Sequence, residues 1–154
     1  MKRVKSILIS TQWRLSSIPR LGSIHLVGTP YFRGQQMSDI DFATKVLHAE
    51  TVSELKCFLA EINGFYAWIS EKESGLNFGV DHVRSRPLFY GQKAELVMVS
   101  DSAESVRQHV GALSFDPVSR EEFQLTGYVT GSDTLYARVK QVQAGEFVEV
   151  SFGS

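Results

Sequence analysis

The sequence predicts an α+β fold. Two observations carry that reading: strand candidates are numerous and joined by short turns, and the helical segments stand in blocks of their own instead of alternating with strands. A third observation bounds the size. A chain of 154 residues, 43% apolar and 21% charged, has the composition of one globular domain able to bury a core, so 1–154 is read as a single domain.

Taken in order, the opening MKRVKSILIS has a basic start but too few apolar residues before TQWR for a secretion signal, and reads as a strand over 4–10. Further strands are predicted over 23–28 (SIHLVG), 64–70 (GFYAWIS), 76–81 (LNFGVD), 87–91 (PLFYG), 94–101 (AELVMVSD) and 146–151 (EFVEVS). Each is rich in β-branched or aromatic residues and bounded by Gly, Pro, Ser or Asp. The charged, glycine-containing EKESG joins two of them as a hairpin. Three helices are expected. In TVSELKCFLAEI, Thr51 and Glu54 have capping-box spacing, and Val52, Leu55, Leu59 and Ile62 form an apolar stripe. SAESVRQHV starts a short helix near Ser102, and DPVSREEFQLTGY has Asp116 as N-cap, Pro117 at the first helical position and Gly127 as the stop.

Composition excludes several function classes. The net charge of −1 gives no field suited to nucleic acid or an anionic membrane, and no apolar run approaches the roughly 20 residues of a membrane span. The lone Cys57 excludes an internal disulfide framework and fits a reducing cytoplasm. As a nucleophile it is poorly placed, because Glu54 and Glu61 flank it on the helical wheel and disfavour the thiolate. His25, His48, His82 and His109 show no zinc-ligand spacing, so no metal is expected. No phosphate-cradling glycine signature is present, and GTPYFRG lacks the lysine such a loop needs. The DHVRSRP arginines read as a basic turn, and no cofactor is implied.

A longer pattern says more. INGFYAWISEKESGLNFGVDHVRSRPLFYG carries Gly64, Phe65, Ala67, Asp81, Pro87, Leu88, Phe89 and Tyr90 in the order of a Gly-aromatic strand, a charged hairpin and an Asp-containing Pro-Leu-aromatic segment. Downstream, LVMVSDSAESVRQHV and FDPVSREEFQLTGYVTGSDTLYARVKQVQAGEFVEV continue it, with Gly127-Tyr128-Val129, Gly131, Thr134-Leu135, Val139 and Ala144-Gly145 in register. Together these stretches resemble the glutamine-hydrolysing domain of the asparagine synthetase family over roughly residues 50–150, with Val80 and Arg84 departing from its pattern. The resemblance implies an N-terminal-nucleophile hydrolase fold: stacked antiparallel sheets with flanking helices. It also implies ammonia supply to an ATP-dependent synthetase domain.

In that family the nucleophile is a cysteine at residue 1 whose own α-amine, with a pKa of about 8, serves as the base. Here Met1-Lys2-Arg3 offers no cysteine, serine or threonine, and the domain is expected to be truncated ahead of its first strand. The remaining site residues come by resemblance alone. Arg14 in WRLSSIP stands at the arginine that holds the substrate carboxylate. Gly28-Thr29 stands at the oxyanion Asn-Gly pair, and Asp39 in MSDIDF at the aspartate that holds the substrate amine. Losing the asparagine side-chain donor removes an interaction typically worth about 3 kcal/mol. Asn63-Gly64 falls in the later structural strand, so the 61–91 stretch is expected to be frame and not site. No catalytic residue is assigned.

The expectation is therefore a cytoplasmic amidotransferase-like domain without glutaminase activity, supporting an ATP-dependent amide-forming subunit. Two alternatives stay open: a glutamine hydrolase with an unrecognised nucleophile, and a stand-alone binding or scaffold module. The partner readings are a synthetase domain or subunit and a homodimer, with neither nucleic acid nor membrane.

Overall fold

A computed structural model describes residues 4–152; the opening residues 1–3, where no nucleophile was read, lie outside the described residues. In chain order the elements are β1 (Val4–Leu8), β2 (Arg14–Ile18), β3 (Gly22–Phe32), β4 (Gln35–Gln36), α1 (Asp39–His48), α2 (Val52–Ala60), β5 (Ile62–Lys72), β6 (Gly75–Val80), β7 (Phe89–Lys93), β8 (Leu96–Ser100), α3 (Ala103–Val110), α4 (Pro117–Thr126), β9 (Lys140–Gln141) and β10 (Phe147–Ser151). Strands and helices are segregated as the α+β reading requires. Among the described residues no helix is long and apolar enough to cross a membrane.

The chain forms two compact units. One comprises Thr11–Arg86 with the described part of Ala144–Ser154, and the other the described part of Met1–Ser10 with Pro87–Gln143. In the second unit the sheet order is β1-β8-β7-β9. The sheets were expected to be antiparallel, but β1 runs parallel to β8, Val4 opposite Leu96 through Leu8 opposite Ser100. Only a tight hairpin forces antiparallel pairing, and these strands are far apart in sequence. Met98, Val106, Val110, Ala112 and Val139 form this unit's core with α3.

The first unit holds the order β10-β6-β5-β3-β2, with β4 paired to β3. Here β3 and β5 pair over their full lengths, Ser23 opposite Glu71 through Phe32 opposite Ile62. Alternation puts Ile24, Leu26, Tyr66 and Trp68 into one core with Phe42, Ala43 and Val46 of α1 and Leu55 of α2. The Phe42 ring is central, with centroids 5.6 Å from Tyr66, 5.9 Å from Phe58 and 6.4 Å from Trp68. Truncating such a side chain to alanine typically costs about 3–5 kcal/mol.

Helix α2 has the expected capping box. Glu54 N–H donates to the Thr51 hydroxyl at 3.1 Å, and Thr51 N–H donates back to the Glu54 carboxylate at 3.4 Å. The predicted stripe ends early, however, because the helix stops at Ala60 and Ile62 opens β5. Val52 is exposed and Leu55 is the buried member. Both α3, capped by Ser102 and closed at Gly111, and α4, capped by Asp116 and closed at Gly127, keep their predicted ends. Four elements had no counterpart in the sequence reading as regular structure: β2, α1 and the two-residue strands β4 and β9. Ser38 caps α1 by accepting from Asp41 N–H at 3.1 Å, and Phe42, Ala43, Val46 and Leu47 supply its buried face.

One carboxylate joins the first unit together at the end of β6. Asp81 is 1% exposed and accepts from Tyr66 N–H at 3.0 Å, Val83 N–H at 2.9 Å and Ser85 N–H at 3.2 Å, and from the Ser85 hydroxyl. Its own carbonyl accepts from Gly145 N–H at 2.8 Å, fastening the approach to β10. Burial pushes the Asp81 carboxyl up, but the donors from Ser85, Val83 and Tyr66 outweigh it and hold the group below its ordinary value. The folded state therefore binds this proton less tightly than the unfolded chain. Its stabilisation is complete above about pH 4 and is lost as pH falls through the folded value.

Asp81→Asn turns an amide donor toward this set of donors and is expected to cost about 3 kcal/mol. Urea unfolding at neutral pH measures the loss. Repeating it at descending pH below the ordinary carboxylate range should narrow the gap between variant and wild type. A constant gap would mean that Asp81 does not carry the acid limb.

Candidate functional site

The site residues read from the sequence all fall in the first unit. Arg14 opens the edge strand β2, opposite Leu26 of β3. Gly28 and Thr29 lie two and three residues further along β3, and Asp39 is the first residue of α1. An acidic residue is favoured at a helix start by the exposed N–H groups there.

Three of the four residues meet. Arg14 Nε donates to Asp39 Oδ2 at 2.7 Å, and Arg14 Nη2 donates to Asp39 Oδ1 at 3.0 Å and to the Gly28 carbonyl at 2.7 Å. This is a bidentate fork with a third acceptor. The hydrogen bond from Arg14 to Asp39 holds the guanidinium pKa above its ordinary value, against partial burial and with help from the Asp39 charge. The side chains are 45% and 35% exposed, so the pair sits at the surface and is worth at most about 1 kcal/mol to stability.

Gly28 has a backbone reason to be glycine. Its φ is +79°, and a Cβ there would stand 2.0 Å from the Phe65 carbonyl oxygen. Thr29 is paired with Phe65 in the β3–β5 ladder, and its hydroxyl bonds to neither Arg14 nor Asp39. The remaining sequence candidates stand outside this cluster. Asn63 and Gly64 lie inside β5, opposite Tyr31 and Pro30. Cys57 is exposed on α2 and takes no part in the Arg14–Asp39 bonding. In the basic turn, Arg86 donates to the Gln12 side chain at 3.3 Å, and burial lowers the Arg84 pKa. Among the described residues no three His, Cys, Asp or Glu side chains converge as metal ligands.

Chemically, the cluster is an anion-binding fork already filled by an internal carboxylate. It supplies charge and hydrogen bonds, and neither Arg14 nor Asp39 is a nucleophile toward an amide. An incoming carboxylate competes with Asp39 for the bidentate edge of the guanidinium. The direct Arg14–Asp39 bond had no signal in sequence, since the two are separated by all of β3 and the β4 turn.

A comparison with protein-family models finds no match, and one with curated proteins finds none either. Among solved structures, the chain is similar to the glutamine phosphoribosylpyrophosphate amidotransferase of B. subtilis, in complex with ADP and GMP, at 14% identity and a TM-score of 0.43. That similarity covers 91% of this chain and 31% of the other. At this level the comparison leaves both fold and chemistry to be argued from the residues.

Gly28→Ala is expected to lower stability by about 2–3 kcal/mol through left-handed strain and the clash with Phe65. Arg14→Ala and Asp39→Ala should each stay within about 1 kcal/mol of wild type. Thermal or chemical unfolding of the three variants checks this ordering, and a large Arg14→Ala loss would show the pair to be structural.

Proposed function

We propose that this chain is an asparagine synthetase-like amidotransferase domain without glutaminase activity. It acts in the cytoplasm as a non-catalytic subunit or support for an ATP-dependent, amide-forming synthetase. The observation that carries the reading is the Arg14–Asp39 fork. By resemblance these are the groups that receive the two charged ends of glutamine, and here each is bonded to the other. Gly28-Thr29 in place of Asn-Gly removes a side-chain donor for the oxyanion, and Cys57 is on an exposed helix face outside the cluster. The lone reduced cysteine suits a cytoplasmic setting.

A supporting subunit needs a surface for its partner, and the second unit offers one. On and beside α4, Leu113 is 91%, Leu125 80% and Val118 76% exposed, an unusual density of apolar side chains in water. Ser119 is the buried residue of that helix.

Two measurements test the proposal. Purified protein incubated with glutamine is expected to release no glutamate above background; steady release abolished by Cys57→Ala overturns the non-catalytic reading. Immunoprecipitation from the source cells is expected to recover an ATP-dependent synthetase chain, and Val118→Glu with Leu125→Glu is expected to release it without altering the melting temperature. Recovery of the wild-type protein alone overturns the subunit role.

A further inference from the structure

We infer that the first unit carries a second binding site, for a free α-amino acid with an apolar side chain, in a cavity of about 500 Å³ between α2 and the approach to β10. This volume falls within the range of small-molecule sites. Its wall on α2 is Lys56, Leu59 and Ala60, spaced three and four apart and so on one helix face. The facing wall is Gly145, Glu146 and Phe147, with Tyr66 and His82 closing the space between them. None of these residues belongs to the Arg14–Asp39 cluster.

The facing wall is held in place. Gly145 N–H is tied to the Asp81 carbonyl at 2.8 Å, and the Glu146 carbonyl accepts from Val80 N–H at 3.2 Å. Phe147 pairs with Gly79 in the ladder and its ring lies 6.1 Å from Trp68. The cavity is therefore built from strand-anchored backbone, which lowers the ordering cost of binding.

Its chemistry selects the ligand. Leu59, Ala60, Phe147 and the buried Tyr66 ring give an apolar pocket of aromatic size. Burial and the nearby Asp81 charge raise the Tyr66 pKa, keeping its phenol neutral. Lys56 and Glu146 bring opposite charges from the two walls, and neither side chain forms an ion pair or hydrogen bond among the described residues. His82 Nε2 lies 3.0 Å from the Ile62 carbonyl, which only accepts. That nitrogen is therefore the donor, and Nδ1 faces the Gly145 side. A simple anion entering here meets Glu146, and a simple cation meets Lys56. A zwitterion satisfies both: its carboxylate goes to Lys56, its ammonium to Glu146, and its side chain to the apolar wall.

Calorimetry with L-phenylalanine tests the assignment, with 3-phenylpropionate lacking the ammonium and phenethylamine lacking the carboxylate. L-Phenylalanine is expected to bind at least about tenfold tighter than either control, and Lys56→Ala or Glu146→Ala to remove that advantage. Both variants change exposed side chains, so their ligand-free melting temperatures should match wild type. Arg14→Ala should leave L-phenylalanine binding unchanged, which separates this site from the proposed glutamine site whether or not that one binds. No heat at millimolar ligand, equal binding of the three compounds, or loss of binding in Arg14→Ala instead of Lys56→Ala each overturns the inference.

Discussion

The first unit depends on a buried carboxylate held by N–H donors of its own chain. Asp81 stands where β6 ends, and its oxygens collect N–H groups from β5 and from the turn that follows, while its carbonyl takes the N–H of Gly145. Taking a charge out of water costs several kcal/mol unless the protein replaces the lost hydrogen bonds. Here the replacement is complete enough that the folded group is the stronger acid despite burial. The consequence is geometric. Tyr66 inside β5, the 82–86 turn and the lead into β10 are brought to one point, and β10 then runs antiparallel to β6 from Phe147 opposite Gly79 to Ser151 opposite Gly75.

This explains which parts of the architecture were legible in the sequence. Asp81 and the strands around it form a local pattern: hairpin, aspartate, turn, Pro-Leu-aromatic, all within one stretch of chain. Caps are equally local, so Thr51 with Glu54, Ser102, and Asp116 with Pro117 and Gly127 placed three helices by their ends. What escaped is non-local or weakly patterned. The edge strand β2 has Leu15 pointing into solvent at 61% exposure, so its alternation says nothing about a core. The pairing of β1 with β8 joins distant segments, and neither strand announces its neighbour. Helix α1 is a different case. Its cap Ser38 and buried Phe42, Ala43, Val46 and Leu47 were readable signals that the sequence reading did not use.

The candidate site was legible as residue types, and its bonding was not. Arg14, Gly28, Thr29 and Asp39 were picked out by resemblance, as groups around a ligand. The structure adds that Arg14 and Asp39 engage one another and that Gly28 takes its conformation from the close approach of β5. Because the pair is exposed, it contributes little to folding and opens at small cost. Such a pair can occupy a ligand's place without being needed for the fold. The same exposure explains why sequence reasoning separates poorly between a ligand-holding arginine and one neutralised by its own chain.

Arg14 with Asp39 and Lys56 with Glu146, two sets of opposite charges in the first unit, differ in a way that bears on function. Arg14 and Asp39 are close enough to neutralise each other, so a zwitterion binding there competes with an existing fork. Lys56 and Glu146 line one cavity from separate walls and form no such fork, so a zwitterion gains both contacts and displaces only water. Competition with an internal partner subtracts directly from affinity, whereas a preformed gap of the right charge order does not. On that comparison the cavity beside Tyr66 suits a zwitterion better than the Arg14–Asp39 cluster does. Asp81 links the cavity to the fold, since its carboxylate holds Tyr66 N–H and its carbonyl holds Gly145 N–H, next to Glu146. The residue that fastens the frame thus also anchors one wall of the cavity through its backbone carbonyl.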